Sequence, residues 1–228
     1  MGVPLGPVMA FWLASPLVDP PSLLITAGAL GWNFAIAKAV AAVALGLAGG
    51  FITSLLVKTG AFHNPLRARK SAGCGCGPSP IDSKPVWKFW NEAPRRAVFV
   101  DLGKDNLLFL LKWMSLAYLI EALMITYVPA DLIAGVLGGT GPKPVILSAL
   151  IGAPAYLNGY IAPPLLAGLM EQGMTAGAAM AFMVAGAVSS IPAMTAVWSL
   201  VKPRVFATYL SLGILGAMVA GFAFGAIT

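Results

Sequence analysis

Long apolar runs, each interrupted or closed by proline, set the layout of this chain. The first begins at Val8, reaches Pro16, is broken by "PLVDPP" and resumes as "SLLITAGALGW". Proline lacks a backbone donor and disfavours helix in the residue before it, so a span-length segment with an internal break is predicted. Asn33 to Val57 is uninterrupted and rich in Ala and Gly. It predicts a full membrane span whose small residues let neighbouring helices approach closely. Residues 58–104 lose the pattern, and a turn-rich, charged loop is expected there, followed by an aromatic and basic stretch suited to the headgroup interface. Asn106 to Val128 predicts a second full span, and residues 129–143 a short outer connection. Residues 144–169 carry Pro154, Asn158, Gly159, Pro163 and Pro164 inside an apolar segment. Such backbone survives at membrane depth only beside protein or a water-filled cavity, which predicts a discontinuous or re-entrant helix. Thr175 to Leu200 is expected to break near "SSIP", and Arg204 to Ile227 forms the final span.

The opening phrase returns. At an offset of 171, Gly2/Gly173, Gly6/Gly177, Met9/Met180, Ala10/Ala181, Phe11/Phe182, Ala14/Ala185 and Pro21/Pro192 are identical pairs. A broken helix followed by a full helix is thus expected over 8–57 and again over 177–227. The implied organisation is a partial first repeat (1–57), a basic loop (58–104) and a second repeat (105–228) with broken helices at 144–169 and 177–200. Interrupted hydrophobic segments in matching positions point to a secondary transporter with its site at the repeat interface. Inverted and parallel repeats both remain compatible with the sequence.

Composition agrees with a bilayer rather than water as solvent. The chain is 59% hydrophobic and 10% charged, with a mean hydropathy of +0.87, so it has too little polar surface for a soluble globule of this size. The fold class predicted is an all-α, polytopic integral membrane bundle. Nine of the fourteen Lys and Arg fall between Lys58 and Lys104, against three acids. That clustering is expected of a cytoplasmic loop under the positive-inside bias, and not of nucleic-acid binding. There is no G-x-x-x-x-G-K, H-E-x-x-H or G-x-S-x-G, so neither ATP-driven transport nor hydrolysis has the residues it needs. No cofactor is expected, and an enzyme is disfavoured.

Polar residues inside the apolar runs are the candidate chemistry. Glu121, mid-span, is either a protonatable coupling residue or a neutral acid bonded between helices. Asp19 lies in the first break, and Ser190 is its counterpart in the second copy. With Ser15, Ser189, Tyr156, Asn158 and Tyr160, they are the polar groups nearest the interruptions, where half-helix ends offer free N–H and C=O groups. Local capping would explain the serines and Asp19 without any ligand.

"GAPAYLNGYIAPPLLAGLMEQGMTAGAAMAFMVAGAVSSIPAMTAVWSLVKPRVFATYL", residues 152–210, resembles the second-half signature of the predicted permease family that includes organoarsenical efflux permeases. Residues 2–32 are similar to that family's first-half signature. The resemblance implies a multi-pass inner-membrane permease of two homologous halves, effluxing a small solute, metal or metalloid species. The family's first half starts further upstream, with a segment corresponding to residues 152–172 that is expected to be missing here. A membrane subunit that needs a complementary permease fragment is therefore the alternative reading. The partners implied are lipid, the transported solute and either a second copy or such a fragment. Cys74 and Cys76 could capture a soft ion or trivalent arsenic for delivery, or be an incidental pair in a flexible loop, and two ligands do not complete a zinc site.

Overall fold

The computed structural model describes residues 3–62, 65–67, 89–127, 137–139, 141–155, 159–160 and 162–228. Those residues form nine α-helices and no strand. By contacts the chain divides into two units, Met1–Arg67 with Ala117–Thr228, and Ala68–Leu116.

In the first unit, α1 (Leu5–Ala14) runs into a single 3-10 turn, Ser15–Leu17. Helix α2 (Pro20–Leu30) follows with Pro20 and Pro21 in its first turn, where a missing N–H costs nothing. The two helices are bent by 45°. Gly31, at φ 88°, is the whole connection to α3 (Trp32–Lys58). Only glycine adopts that backbone without strain, so the chain reverses in one residue.

A bent pair followed by a straight helix occurs again after three further described helices. Helix α5 (Pro142–Ala155) and α6 (Ala162–Glu171) flank the interruption expected within 144–169. Helices α7 (Ala176–Val188) and α8 (Ile191–Leu200) meet at Ser189 and Ser190 with a 47° bend. The straight α9 (Pro203–Gly225) comes next. The label α4 denotes Ala93–Tyr127, which crosses the boundary of the second unit. That unit also holds a 3-10 turn, Phe89–Asn91, and an exposed ion pair between Arg95 and Glu92 at 2.8 Å. Helix α4 starts well before the expected span at Asn106. Pro94 falls in its first turn, where proline is tolerated, and no further proline follows it within the helix.

Glycine sets the helix spacing. A Cβ on Gly177 of α7 would lie 2.6 Å from the carbonyl oxygen of Gly221 on α9. Likewise one on Gly6 of α1 would lie 2.9 Å from the carbonyl oxygen of Gly50 on α3. Helix α5 crosses α7 at Gly152, where a Cβ would meet the Phe182 carbonyl oxygen at 2.5 Å. Without a hydrophobic driving force between helices in lipid, such backbone approach supplies the dispersion that holds them.

Helices α3 and α9 run antiparallel. Phe34 meets Phe224 with ring centroids 5.0 Å apart, while further along Leu45 lies against Gly216 and Gly49 against Leu212. Helix α7 is buried along nearly its whole length. By contrast, Ile36, Val40, Val43, Leu47 and Phe51 form an exposed apolar face on α3. Among the described residues two helices, α3 and α9, are long and apolar enough to cross a membrane, and four spans result if each bent pair counts as one. The architecture is all-α and of membrane type, as the sequence predicts.

A short segment after α3 fastens onto the α8–α9 link. Leu66 pairs with Val201 as an isolated antiparallel bridge. Arg67 N–H donates to Leu200 O at 3.0 Å, and Lys202 N–H to Pro65 O at 2.9 Å. The Arg67 guanidinium donates to Val201 O at 2.8 Å and stacks 4.3 Å over the Trp198 ring.

Candidate functional site

Three helix interruptions converge. At the first, Asp19 is the N-cap of α2, and its Oδ2 accepts from the Ser22 N–H at 3.3 Å. Pro20 and Pro21 have no N–H, so Asp19 satisfies a helix start already short of free donors. The same oxygen accepts from the Tyr160 hydroxyl at 3.0 Å. Capping and a tertiary contact therefore coexist on one carboxylate. Ser15 lies in the 3-10 turn and is exposed.

Tyr160 comes from the second interruption, between α5 and α6. Its neighbour Gly159 sits against α2, where a Cβ would be 3.3 Å from Ser22 Cβ. Tyr156 and Asn158 lie outside the described residues. At the third interruption, the buried Ser189 hydroxyl can donate to Ala153 O at 2.5 Å or to Ala185 O at 2.7 Å. One hydroxyl thus ties the α7–α8 break to the end of α5. Ser190 is the N-cap of α8, yet its side chain makes no capping bond. The fully buried Tyr209 of α9 donates its hydroxyl to Val188 O, at the same break. Gly213 holds the first and third breaks together, since a Cβ there would lie 2.5 Å from Val188 Cγ1 and 3.8 Å from Leu13 Cδ2.

The residue that sequence reading passed over is Lys38. Among the described residues it is the one charged side chain that is fully buried, at 1% exposure. Its Nζ donates to Ser22 Oγ and Thr26 Oγ1 of α2, both at 3.2 Å. Those hydroxyls give their own hydrogens to backbone carbonyls, Ser22 to Asp19 O at 3.1 Å and Thr26 to Ser22 O at 2.6 Å. Among the described residues no carboxylate comes within 4.0 Å of the amine, although the Asp19 charge still acts on it. A lysine inside a span costs about 2.5–3.5 kcal/mol on insertion scales and marks function by default. The signal was therefore present in "AIAKAVAAV", hidden by a count that treated the segment as uninterrupted.

Other expected site residues fall elsewhere. Glu121 is on α4, and its side chain lies outside the description, as do Cys74 and Cys76 altogether. Among the described residues no group of three or more His, Cys, Asp or Glu could hold a metal ion. An apolar groove of about 830 Å³ runs between α3 and α9, lined by residues such as Ile36, Val40, Leu215 and Val219, and excludes the polar cluster.

The chain is similar, over residues 1–226, to the family described as predicted permease. A UPF0718 protein of Methanocaldococcus jannaschii is 23% identical over 273 residues, covering 99% of this chain and 74% of that protein. No solved structure matches.

Proposed function

The chain belongs to the predicted permease family, and from that premise we propose that it is a secondary transporter of two inverted repeats whose solute site lies where the helix breaks meet. The family points to transport rather than catalysis. Support for the repeats comes from matched packing. The 171-residue offset that pairs Gly6 with Gly177 also pairs Gly50 with Gly221, and both glycine pairs make the same close approach. Antiparallel α3 and α9, which the offset superposes, favour inversion over a parallel duplication.

The single observation that carries the reading is the convergence of three helix interruptions, joined by the Tyr160–Asp19 and Ser189–Ala153 hydrogen bonds and by the packing of Gly213 on Val188 and Leu13. Its depth is central. Ala14, the last residue before the first break, lies against Gly46 in the middle of α3, and Val188, at the third, against Gly213 in the middle of α9. Unpaired peptide groups are expensive in lipid, so such breaks persist where they serve a cavity. Opening one bent pair against its straight helix, then the other, would expose the cluster to each side in turn.

In this reading Asp19, Tyr160, Ser189 and Ser190 contribute to the solute site, with Ser15, Tyr156 and Asn158 at its margins. Glu121 carries a coupling proton. The basic loop 58–104 faces the cytoplasm from the inner membrane. Efflux of a metal or metalloid, with Cys74 and Cys76 delivering it, rests on the family resemblance. The test is flux in proteoliposomes under an imposed proton gradient, using methylarsenite and zinc as probes. Intact, correctly inserted protein that moves neither probe, nor any of a panel of small solutes, would argue against transport.

A further inference from the structure

We propose that Lys38 is a proton-exchange site, and that its proton, released and regained at the first helix break, is required to drive the permease together with the one assigned to Glu121. The coupling rests on the reading above, whereas the titration stands on the geometry alone. Ser22 Oγ and Thr26 Oγ1 have each committed their only hydrogen to a backbone carbonyl, so toward Lys38 both act as acceptors. A neutral amine has two N–H groups and fills both acceptors. An ammonium has three and fills the same two. Loss of one proton to water therefore leaves every one of these protein hydrogen bonds in place, and only the third position changes, from N–H donor to lone pair. Few buried ionisable groups are so placed, because the usual cost of discharging one is an orphaned partner.

Among the described residues nothing else around the amine competes for the role. Helices α1, α2 and α7 carry no titratable side chain, and the charge that acts on the amine is that of Asp19 at the head of α2. On α9 the residues level with Lys38 lie between Gly216, opposite Leu45, and Phe224, opposite Phe34, and none is titratable. Arg204 and Tyr209 are toward the other end of that helix. Tyr160 reaches the cluster through its bond to Asp19. In the state described here the amine is sealed from solvent, so exchange requires the break to open, which ties protonation to the transport cycle.

Lys38→Arg and Lys38→Met test this against wild type. Arginine keeps the charge and its donors but does not give up a proton under these conditions. The first readout needs no solute: the pH profile of melting temperature in detergent. The difference between wild type and Lys38→Arg should vary with pH, as linkage requires of a group that titrates in one protein and not the other. A pH-independent difference overturns the proposal. The second readout separates coupling from movement, with methylarsenite as the probe in proteoliposomes. Both variants should retain exchange at equal pH and lose accumulation driven by a pH gradient, down to protein-free vesicles. Gradient-driven accumulation by Lys38→Arg overturns the coupling. Absence of flux of methylarsenite, zinc and the panel of small solutes in wild type, with the melting difference still dependent on pH, supports the titrating site and sinks the permease reading.

Discussion

Lys38 and Tyr209 stand 171 positions apart, and each turns from a straight helix onto the bent pair that precedes it. Lys38 reaches the start of α2 through Ser22, and Tyr209 reaches the end of α7 through the Val188 carbonyl. Two different side chains thus do the same structural task, each tying a straight helix to the bent pair before it.

Tyr209→Phe removes the hydroxyl that satisfies Val188 O in a fully buried setting. The expected loss is about 1–3 kcal/mol, the cost of an unpaired buried acceptor. Thermal unfolding in detergent should show it. An unchanged midpoint would mean that the α7–α8 break finds another donor.

Gly177→Ala places a Cβ against backbone, 2.6 Å from Gly221 O, where no flexible side chain can yield. Destabilisation of about 1–3 kcal/mol is expected. Gly28→Ala in α2, with nothing within 4 Å, should be neutral or stabilising by about 0.5–1 kcal/mol. Equal effects at the two positions would contradict close packing of α7 on α9.

Asp19 has two jobs that substitution can separate. Asparagine caps helices about as well as aspartate, so Asp19→Asn should melt near wild type, whereas Asp19→Ala loses about 1 kcal/mol. Both should lose solute flux if the carboxylate serves the site. Full flux in Asp19→Asn would reduce the residue to a cap.

Arg67 joins the segment after α3 to the α8–α9 link by a guanidinium bond and a stack on Trp198. Arg67→Lys keeps the charge but not the planar fork, and is expected to behave like Arg67→Ala. Losing about 1–2 kcal/mol here should speed proteolytic cleavage near Pro65 roughly ten-fold. Cleavage at the wild-type rate would show that the two backbone bonds suffice.

Glu121→Gln should flatten the pH dependence of flux while leaving the fold intact, since glutamine matches the shape of the neutral acid. A pH profile identical to wild type assigns Glu121 a structural role.

The apolar runs of α3 and α9 and the breaks at "PLVDPP" and "SSIP" were legible in the chain, because lipid imposes helix on a long apolar run and proline beyond a helix's first turn disfavours its continuation. Asp19 was legible as well, its aspartate-proline-proline order announcing both a cap and a helix start. Lys38 was visible as a charge inside a span, but its meaning was not. That depended on Ser22 and Thr26, sixteen and twelve residues earlier, being brought within reach by the one-residue turn at Gly31. Whether α3 and α9 run parallel or antiparallel was equally beyond the sequence, since an offset records correspondence and not direction. Local propensity and burial fix the elements one at a time. Which breaks meet, and which hydroxyls reach an amine, is decided only when glycine-lined helices close on one another.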